Sequence, residues 1–158
     1  MIDMLDFVEI NKDNIHWYCE FERAFEDELK NFQSRIYPHH SDFFVPLMEQ
    51  GLLKWSYLFY SGRLIGAIWL EKEHTSLRTA ALGIFIADKD MRSKGIGRKA
   101  TERFIQSCKK PLNLTEVTLN VRKENIRAIR CYEKCGFVCE QQYEKANGIK
   151  VMGMVKYL

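Results

Sequence analysis

The chain has 158 residues, 46% of them hydrophobic and 28% charged, with a formal net charge of +3 at pH 7. This balance predicts a single globular domain over residues 1–158, large enough to bury a core. No apolar run approaches the roughly 18 residues that span a bilayer, and residues Met1 to Phe7 are acidic, unlike the basic start of a signal peptide. We therefore expect a cytoplasmic protein without a membrane partner.

The first half of the chain has apolar patterns that predict two helices and three strands. Apolar residues from Ile15 to Phe32 follow a helical stripe, which Asp13 is suited to cap. Ser61 and Gly62 provide the signal for a hairpin turn. In chain order the predicted elements are a strand at Leu5 to Ile10, helices at Asp13 to Phe32 and Ser41 to Gln50, and strands at Lys54 to Tyr60 and Arg63 to Glu71.

A strand, a basic loop and an amphipathic helix follow in that order. Residues Thr79 to Ala87 are uncharged and rich in β-forming side chains, which predicts a buried strand. After the loop, apolar residues recur every four positions from Ile96 to Cys108, and Pro111 ends the helix. One face of this helix is therefore expected to pack on a sheet.

The loop itself, M-R-S-K-G-I-G-R-K-A from Met91 to Ala100, has the composition of a phosphate-binding loop. The first turn of a helix leaves backbone N–H groups unpaired and carries about half a positive charge. Gly95 and Gly97 remove the Cβ atoms that would keep an anion away from these groups. The cations next to the glycines are Arg92, Lys94, Arg98 and Lys99.

The spacing of the glycines identifies the type of loop. A dinucleotide-binding fingerprint requires a third glycine and a P-loop requires G-x-x-x-x-G-K-[ST], and the loop has neither pattern. Arg92-x-x-Gly95-x-Gly97 matches R/Q-x-x-G-x-G/A and resembles the acyl-CoA pyrophosphate loop of GNAT-type N-acetyltransferases. Taken alone, the segment also fits a basic surface helix without a ligand.

A second motif lies downstream. Residues Val117 to Val121 predict a strand, and Asn125 to Phe137 predict a helix that Asn125 caps and Gly136 ends. The pattern L-N-V-x-x-x-N-x-x-A-x-x-x-Y-E-K-x-G-F resembles the segment that follows the pyrophosphate loop in the same superfamily, so the resemblance extends over residues 79–137. The last predicted elements are strands at Phe137 to Lys145 and Ile149 to Tyr157, around the hairpin signal Asn147-Gly148.

The resemblance implies an α/β (α+β) fold with a mixed, largely antiparallel sheet flanked by helices. The implied order is β-α-α-β-β-β-α-β-α-β-β, splayed between the fourth and fifth strands so that the pantetheine arm of CoA enters. It also implies acetyl-CoA as acyl donor and direct attack by an amine in a ternary complex. No metal is expected, because Cys131, Cys135 and Cys139 have no His or Cys nearby to complete four ligands.

The resemblance also assigns expected roles to residues. Tyr132 matches the family's acid, because a phenol with a pKa of about 10 is protonated near pH 7 and can donate to the leaving thiolate. Backbone N–H groups near Phe85 and Ile86 match the family's oxyanion donors. The other expected CoA contacts are Arg92, Lys94, Gly95, Ile96, Gly97, Arg98, Lys99 and Asn125.

The general base is not matched in the same way. Where many protein-acetylating members carry a glutamate on the fourth strand, this chain has Ala81. Glu71 and Glu73, at the end of the third strand, are the nearest alternatives, and their spacing of two places them on one side if the strand continues that far. Two solvated carboxylates near a turn are the competing interpretation, in which water removes the proton or the amine arrives neutral.

Charge distribution gives a hint about the acceptor. Residues 1–40 hold nine Asp or Glu against four Lys or Arg, whereas residues 89–134 hold thirteen Lys or Arg against five Asp or Glu. The basic region suits a polyanionic donor and the acidic region suits a cationic amine. The resemblance places the first two helices over the acceptor site, so Glu22 and Glu26, one helical turn apart, are candidate substrate contacts. A solvated helix face explains the same two residues.

These observations predict an N-acetyltransferase that acts on a small-molecule or peptide amine. A non-catalytic acyl-CoA-binding regulatory domain with the same fold is the alternative. A nucleic-acid-binding module ranks last, because the cations cluster around a glycine loop without interleaved aromatic side chains. We therefore expect no nucleic-acid partner and either a monomer or a homodimer.

Overall fold

The structure, a computed structural model, describes residues 4–18 and 41–158. Within these ranges a short helical segment begins at Ile15. The rest of the segment predicted as a helix from Asp13 to Phe32 lies outside the described residues, and so do Glu22 and Glu26. The strands are β1 (Leu5–Glu9), β2 (Leu53–Tyr60), β3 (Arg63–Glu71), β4 (Thr79–Ile86), β5 (Glu116–Arg122), β6 (Val138–Glu144) and β7 (Lys150–Tyr157). The helices are α1 (Ser41–Glu49), α2 (Ile96–Cys108) and α3 (Ile126–Lys134), with a 3₁₀ turn at Lys89–Met91.

The strands form one seven-stranded sheet in the order β1-β2-β3-β4-β5-β7-β6. Neighbouring strands pair antiparallel, except that β4 and β5 are parallel. A parallel pair needs a crossover connection, and α2 provides it between β4 and β5. The expected mixed, largely antiparallel fold is therefore confirmed.

The parallel pair is short. Within the described residues, β4 pairs with β5 only from Thr79 to Ala81, opposite Glu116 to Thr118. Beyond these three pairs β4 continues against β3 up to Ile86, and β5 continues against β7 up to Arg122. The two strands separate, so the centre of the sheet has an open edge on each side.

Two apolar clusters cover the two faces of the sheet. On one face α2 and α3 pack on β3, β4 and β5, where Leu70, Ala100 and Val117 are fully buried. On the other face an aromatic cluster contains Trp55, Trp69 and Phe85. Side chains alternate between the faces along a strand, which places consecutive residues of β4 in different clusters.

No helix of the described residues is long and apolar enough to cross a membrane.

Replacing Leu70 with alanine tests the core on the helix side of the sheet. Leu70 is 0% exposed, so Leu70→Ala should lower the free energy of unfolding by about 2–5 kcal/mol through lost burial and the cavity that remains. Leu77→Ala is the matched control, because Leu77 is 43% exposed and surface changes usually stay within about 0.5 kcal/mol. Urea unfolding followed by circular dichroism measures both variants, and equal losses would contradict this description of the core.

Candidate functional site

A cleft opens where β4 and β5 separate. Its volume is about 1070 Å³, and it is lined by the end of β4, the following loop, the first turn of α2, the end of β5 and the start of α3. The two sequence motifs therefore meet at one place. The site residues expected from the sequence that line the cleft are Phe85, Ile86, Arg92, Gly95, Gly97, Arg98, Asn125 and Tyr132.

The two glycines of the loop have different physical roles. Gly95 is the N-cap of α2 and has a φ of 78°, a left-handed conformation that disfavours other residues. Gly97 lies inside the first turn, where an added Cβ would be 3.5 Å from Ile86 Cδ1, an ordinary contact. Gly95 is thus needed for backbone conformation, whereas the position of Gly97 tolerates alanine, in agreement with R/Q-x-x-G-x-G/A.

The N-terminus of α2 is available for an anion. In the described part of the chain, the N-cap Gly95 provides no side-chain hydrogen bond to the helix. The first-turn N–H groups, including those of Gly97 and Arg98, therefore lack the side-chain acceptor that caps many helices. Together with the helix dipole, these groups form a ready anion-binding site at the cleft.

The expected cations of the loop are not equivalent. The Arg92 Nε donates a hydrogen bond to the Ile86 carbonyl at 3.0 Å, and thereby ties the loop to the end of β4. Arg98 pairs with Glu102 at 3.1 Å on the exposed side of α2. Lys94 and Lys99 are exposed and are absent from the described residues that line the cleft, and Ile96 is a core residue, 5% exposed.

Other cations of the cleft were missed by motif reasoning. Four of them come from β5 and α3, on the opposite wall of the cleft from the glycine loop, and the fifth comes from the 3₁₀ turn that follows β4. Their only signal in the sequence was the excess of Lys and Arg over residues 89–134, which could not assign individual positions. The additional cleft-lining cations are Lys89, Arg122, Arg127, Arg130 and Lys134.

The backbone at the end of β4 presents a donor to the cleft. The Ala87 N–H donates to the Ile65 carbonyl of β3 at 2.8 Å. Because consecutive peptide groups of a strand point to opposite edges, the N–H and carbonyl of Ile86 point to the cleft edge. The hydrogen bond from Arg92 to the Ile86 carbonyl agrees with this direction. Phe85 differs from Ile86 in the direction of its side chain, which is buried in the aromatic cluster on the other face of the sheet.

Tyr132 lies on α3 and lines the cleft. Its ring packs edge-on against Phe137, with centroids 5.8 Å apart. Burial raises the pKa of the Tyr132 phenol above its ordinary value, and negative charge on Cys131 and Cys135 would raise it further. The phenol is therefore protonated throughout the neutral pH range. Asn125 begins the same helix, where its side chain accepts a hydrogen bond from the Ala128 N–H at 3.3 Å.

Cys131 is an unusual thiol beside this tyrosine. The neighbouring Cys135 thiol lowers the pKa of Cys131 to about 7, with help from Lys134 and Arg98 and against the effect of burial. The Cys135 thiol itself donates a hydrogen bond to the Arg98 carbonyl at 3.8 Å. Cys131 also lines the cleft, and its Sγ lies 3.8 Å from a Cβ built on Gly97. The pKa of Cys135 is raised, first by its interaction with Cys131 and then by burial.

The candidate base Glu71 occupies another part of the sheet. It is absent from the described residues that line the cleft. Glu71 pairs across the strands with Ala81, so the two side chains share one face. Ala81 is four residues along β4 from Phe85, roughly 13 Å at about 3.3 Å per residue. Glu73 lies beyond the end of β3 and is exposed.

No group of three or more His, Cys, Asp or Glu side chains is arranged to hold a metal ion in residues 4–18 and 41–158.

Comparisons with known proteins agree on one family. A model of the GNAT family of acetyltransferases matches residues 9–137. The spermidine N(1)-acetyltransferase of Vibrio cholerae serotype O1 is 36% identical over 77 residues, which cover 49% of this chain and 44% of that protein. The chain thus spans about half the length of the curated relatives it matches.

Solved structures share the whole fold at low sequence identity. Spermidine N-acetyltransferase from Vibrio cholerae, in complex with CoA and spermine, has a TM-score of 0.77 at 18% identity and covers 98% of this chain and 95% of its own. The ribosomal-protein-S5-alanine acetyltransferase from Vibrio fischeri has a TM-score of 0.83 at 16% identity and covers 99% and 94%. These likenesses confirm the fold.

The lowered pKa of Cys131 predicts its reactivity with pH. Only the thiolate is nucleophilic, so alkylation of Cys131 by iodoacetamide should rise with a midpoint near pH 7. In the denatured chain the midpoint should return to about pH 8.5. Cys135→Ala removes the neighbouring thiol, the largest cause of the lowered pKa, and should raise the midpoint of Cys131. Mass spectrometry of alkylated peptides measures each site; a midpoint equal to that of the denatured chain would show that the folded surroundings do not lower this pKa.

Proposed function

Because the chain belongs to the GNAT family of acetyltransferases, matched over residues 9–137, we propose that it transfers the acetyl group of acetyl-CoA to a primary amine. We propose further that the acceptor is a cationic small molecule of the polyamine class. One observation carries the proposal: the cleft between β4 and β5 contains both an uncapped helix N-terminus and a half-buried tyrosine whose raised pKa keeps it protonated. A purely regulatory CoA-binding domain requires the first of these features but not the second.

The donor is held mainly by its phosphates. The pyrophosphate lies against the first-turn N–H groups of α2, and Gly95 gives the chain the left-handed turn that begins this helix. Cations on both walls of the cleft balance its charge, including Arg92, Arg98 and Arg130. The pantetheine arm then follows the edge of β4, which is open to it because β5 has separated.

The chemistry requires a donor at the carbonyl oxygen and a proton for the leaving sulfur. Attack of the amine nitrogen on the thioester carbon forms the new C–N bond and places negative charge on the oxygen. The Ile86 N–H is directed to donate a hydrogen bond to this oxygen. As the C–S bond breaks, the Tyr132 phenol donates its proton to the departing thiolate. Its raised pKa keeps the phenol in the donor form before each turnover.

Removal of the amine proton needs a relay. Glu71 is on the sheet face of the aromatic cluster and about 13 Å along β4 from Phe85, too far for direct transfer from an amine at the thioester. We propose that water carries the proton from the amine toward solvent, with Glu71 as the carboxylate at the far end of that path.

The choice of a polyamine acceptor has two sources of support. Curated relatives are named for spermine or spermidine acetylation. Residues 1–40 also carry nine acidic against four basic residues, a charge balance that attracts a polycation. Glu22 and Glu26, four residues apart in the sequence, remain the proposed contacts of an ammonium group.

The acceptor is tested by following CoA thiol release against spermine, spermidine, aminoglycosides, amino sugars, amino acids and N-terminal peptides. Polyamines should give the highest kcat/KM. A preference for N-terminal peptides would contradict the proposed polyamine acceptor but would leave the proposed reaction unchanged. Absence of release with every amine, together with tight binding of acetyl-CoA, would favour the regulatory domain instead.

Replacing Tyr132 with phenylalanine removes the proposed acid and keeps the ring. Loss of a general acid typically costs about 10²–10⁴-fold in rate, so kcat for Tyr132→Phe should fall by at least roughly 10²-fold while the affinity for CoA changes little. Tyr157→Phe is the matched control, since Tyr157 is 68% exposed on β7. Steady-state kinetics with the best amine measure both, and an unchanged kcat for Tyr132→Phe would remove the acid role from this residue.

The loop glycine has a close steric match elsewhere in the chain. Gly95 and Gly62 have φ values of 78° and 79°, and a Cβ on either would meet no atom of the described residues within 4 Å. Alanine at either position should therefore lower the free energy of unfolding by a similar amount, about 1–2 kcal/mol. Only Gly95→Ala should weaken CoA binding, by roughly tenfold or about 1.4 kcal/mol. Calorimetric titration with CoA measures this, and equal affinity of the two variants would argue against a pyrophosphate site at Gly95.

A further inference from the structure

A bulge in β3 lies beside the end of β4. Leu58 of β2 pairs with Gly66, whereas the next residue, Phe59, pairs with Leu64. Ile65 is therefore the extra residue of β3, and the alternation of side chains between the two sheet faces shifts by one residue at this point. Ile65 and Ile68 are three residues apart yet pack in the same apolar cluster, which a regular strand would prevent.

Gly66, next to the extra residue, approaches the backbone of β4 closely. A Cβ added to Gly66 would overlap the Phe85 carbonyl oxygen and would lie 3.0 Å from the Phe85 carbonyl carbon and 3.1 Å from Ile86 Cα. All three atoms belong to the main chain, which cannot rotate away as a side chain can. Any side chain at position 66 would thus push β4 away from β3.

The peptide group that would be displaced joins Phe85 to Ile86, and its N–H points to the cleft. Beyond Ala81 the described part of β4 has no pairing with β5, so β3 determines its position from one edge. The Ala87 N–H to Ile65 carbonyl hydrogen bond, 2.8 Å, fixes the end of the strand to the bulge itself. The direction of the Ile86 N–H therefore depends on how closely β4 seats against Gly66.

We propose that Gly66 is a positioning residue for acetyl transfer. Because it has no side chain, β4 can pack closely against the bulge of β3, and this position directs the Ile86 N–H to the thioester oxygen. This inference rests on the proposed function. It adds a residue of β3, outside the cleft and both sequence motifs, to the residues that determine the rate. Gly66 touches neither donor nor acceptor and acts through the backbone of Phe85 and Ile86.

Gly66→Ala tests the inference through a split between rate and binding. The added methyl group must move the Phe85–Ile86 peptide by on the order of 1 Å, and a misplacement of that size costs about 10²-fold in rate. We expect kcat to fall about 10²-fold. The dissociation constant of CoA should change much less than kcat, because the pyrophosphate binds the first turn of α2 rather than the Phe85–Ile86 peptide.

Gly153→Ala is the matched control. Gly153 is a buried strand glycine of β7, and an added Cβ would lie 2.9 Å from Cγ of the exposed Gln141 side chain, which can move aside. Its kcat should stay within about twofold of the unaltered protein. Circular dichroism and thermal melting of both variants report whether each is folded.

The outcomes separate the inference from the function beneath it. A folded Gly66→Ala variant with unchanged kcat overturns the positioning role and leaves the proposed function intact. An unaltered protein that acetylates no amine overturns the proposed function, and the positioning role with it. If Gly66→Ala does not fold, a crystal structure of the unaltered protein decides: an ideal Cβ on Gly66 that clears the Phe85 carbonyl oxygen by more than 3.4 Å, the start of ordinary contact, overturns the inference.

Discussion

The parallel pairing of β4 with β5 lasts for three residue pairs, and the rest of the site follows from its end after Ala81 and Thr118. Each strand keeps its other partner, so β4 is held by β3 and β5 by β7, while the edges between them open into the cleft. The turn after β4 is fixed as well. Asp88 accepts a hydrogen bond from the Asp90 N–H at 3.0 Å and pairs with Arg63 of β3 at 2.9 Å, so β3 anchors both β4 and the start of the loop.

The cleft combines two electrostatic environments within one short segment. At its exposed wall, cations of α2 and α3 lie near the uncapped N-terminus of α2. The pKa of Cys131 is lowered there, mainly by the Cys135 thiol and further by Lys134 and Arg98. One residue further along α3, burial raises the pKa of Tyr132. The first environment suits a polyanion and the second keeps a phenol protonated. A donor that carries phosphates at one end and a thioester at the other fits this gradient.

Motif spacing was enough to predict much of this arrangement. Arg92, Gly95 and Gly97 were predicted from the spacing of the loop motif, and Tyr132 from the resemblance of residues 119–137 to the second family motif. All four residues line the cleft. Cations of the opposite wall, such as Arg122 and Arg130, could not be assigned, since their approach depends on how β5 and α3 pack against α2. Strand register was also beyond the sequence: the pairing of Glu71 with Ala81 and the contact of Gly66 with Phe85 arise from non-local pairing and a bulge. The expectation that Glu71 belongs to the catalytic centre remains a proposal.

A crystal structure of the protein with bound CoA tests the central claim most directly. The account predicts the pyrophosphate within hydrogen-bonding distance of the N–H groups of Gly97 and Arg98, and the pantetheine arm between β4 and β5 with its sulfur beside the Tyr132 hydroxyl. CoA bound at another surface, or β4 and β5 paired beyond Ala81 so that the cleft is closed, would contradict it.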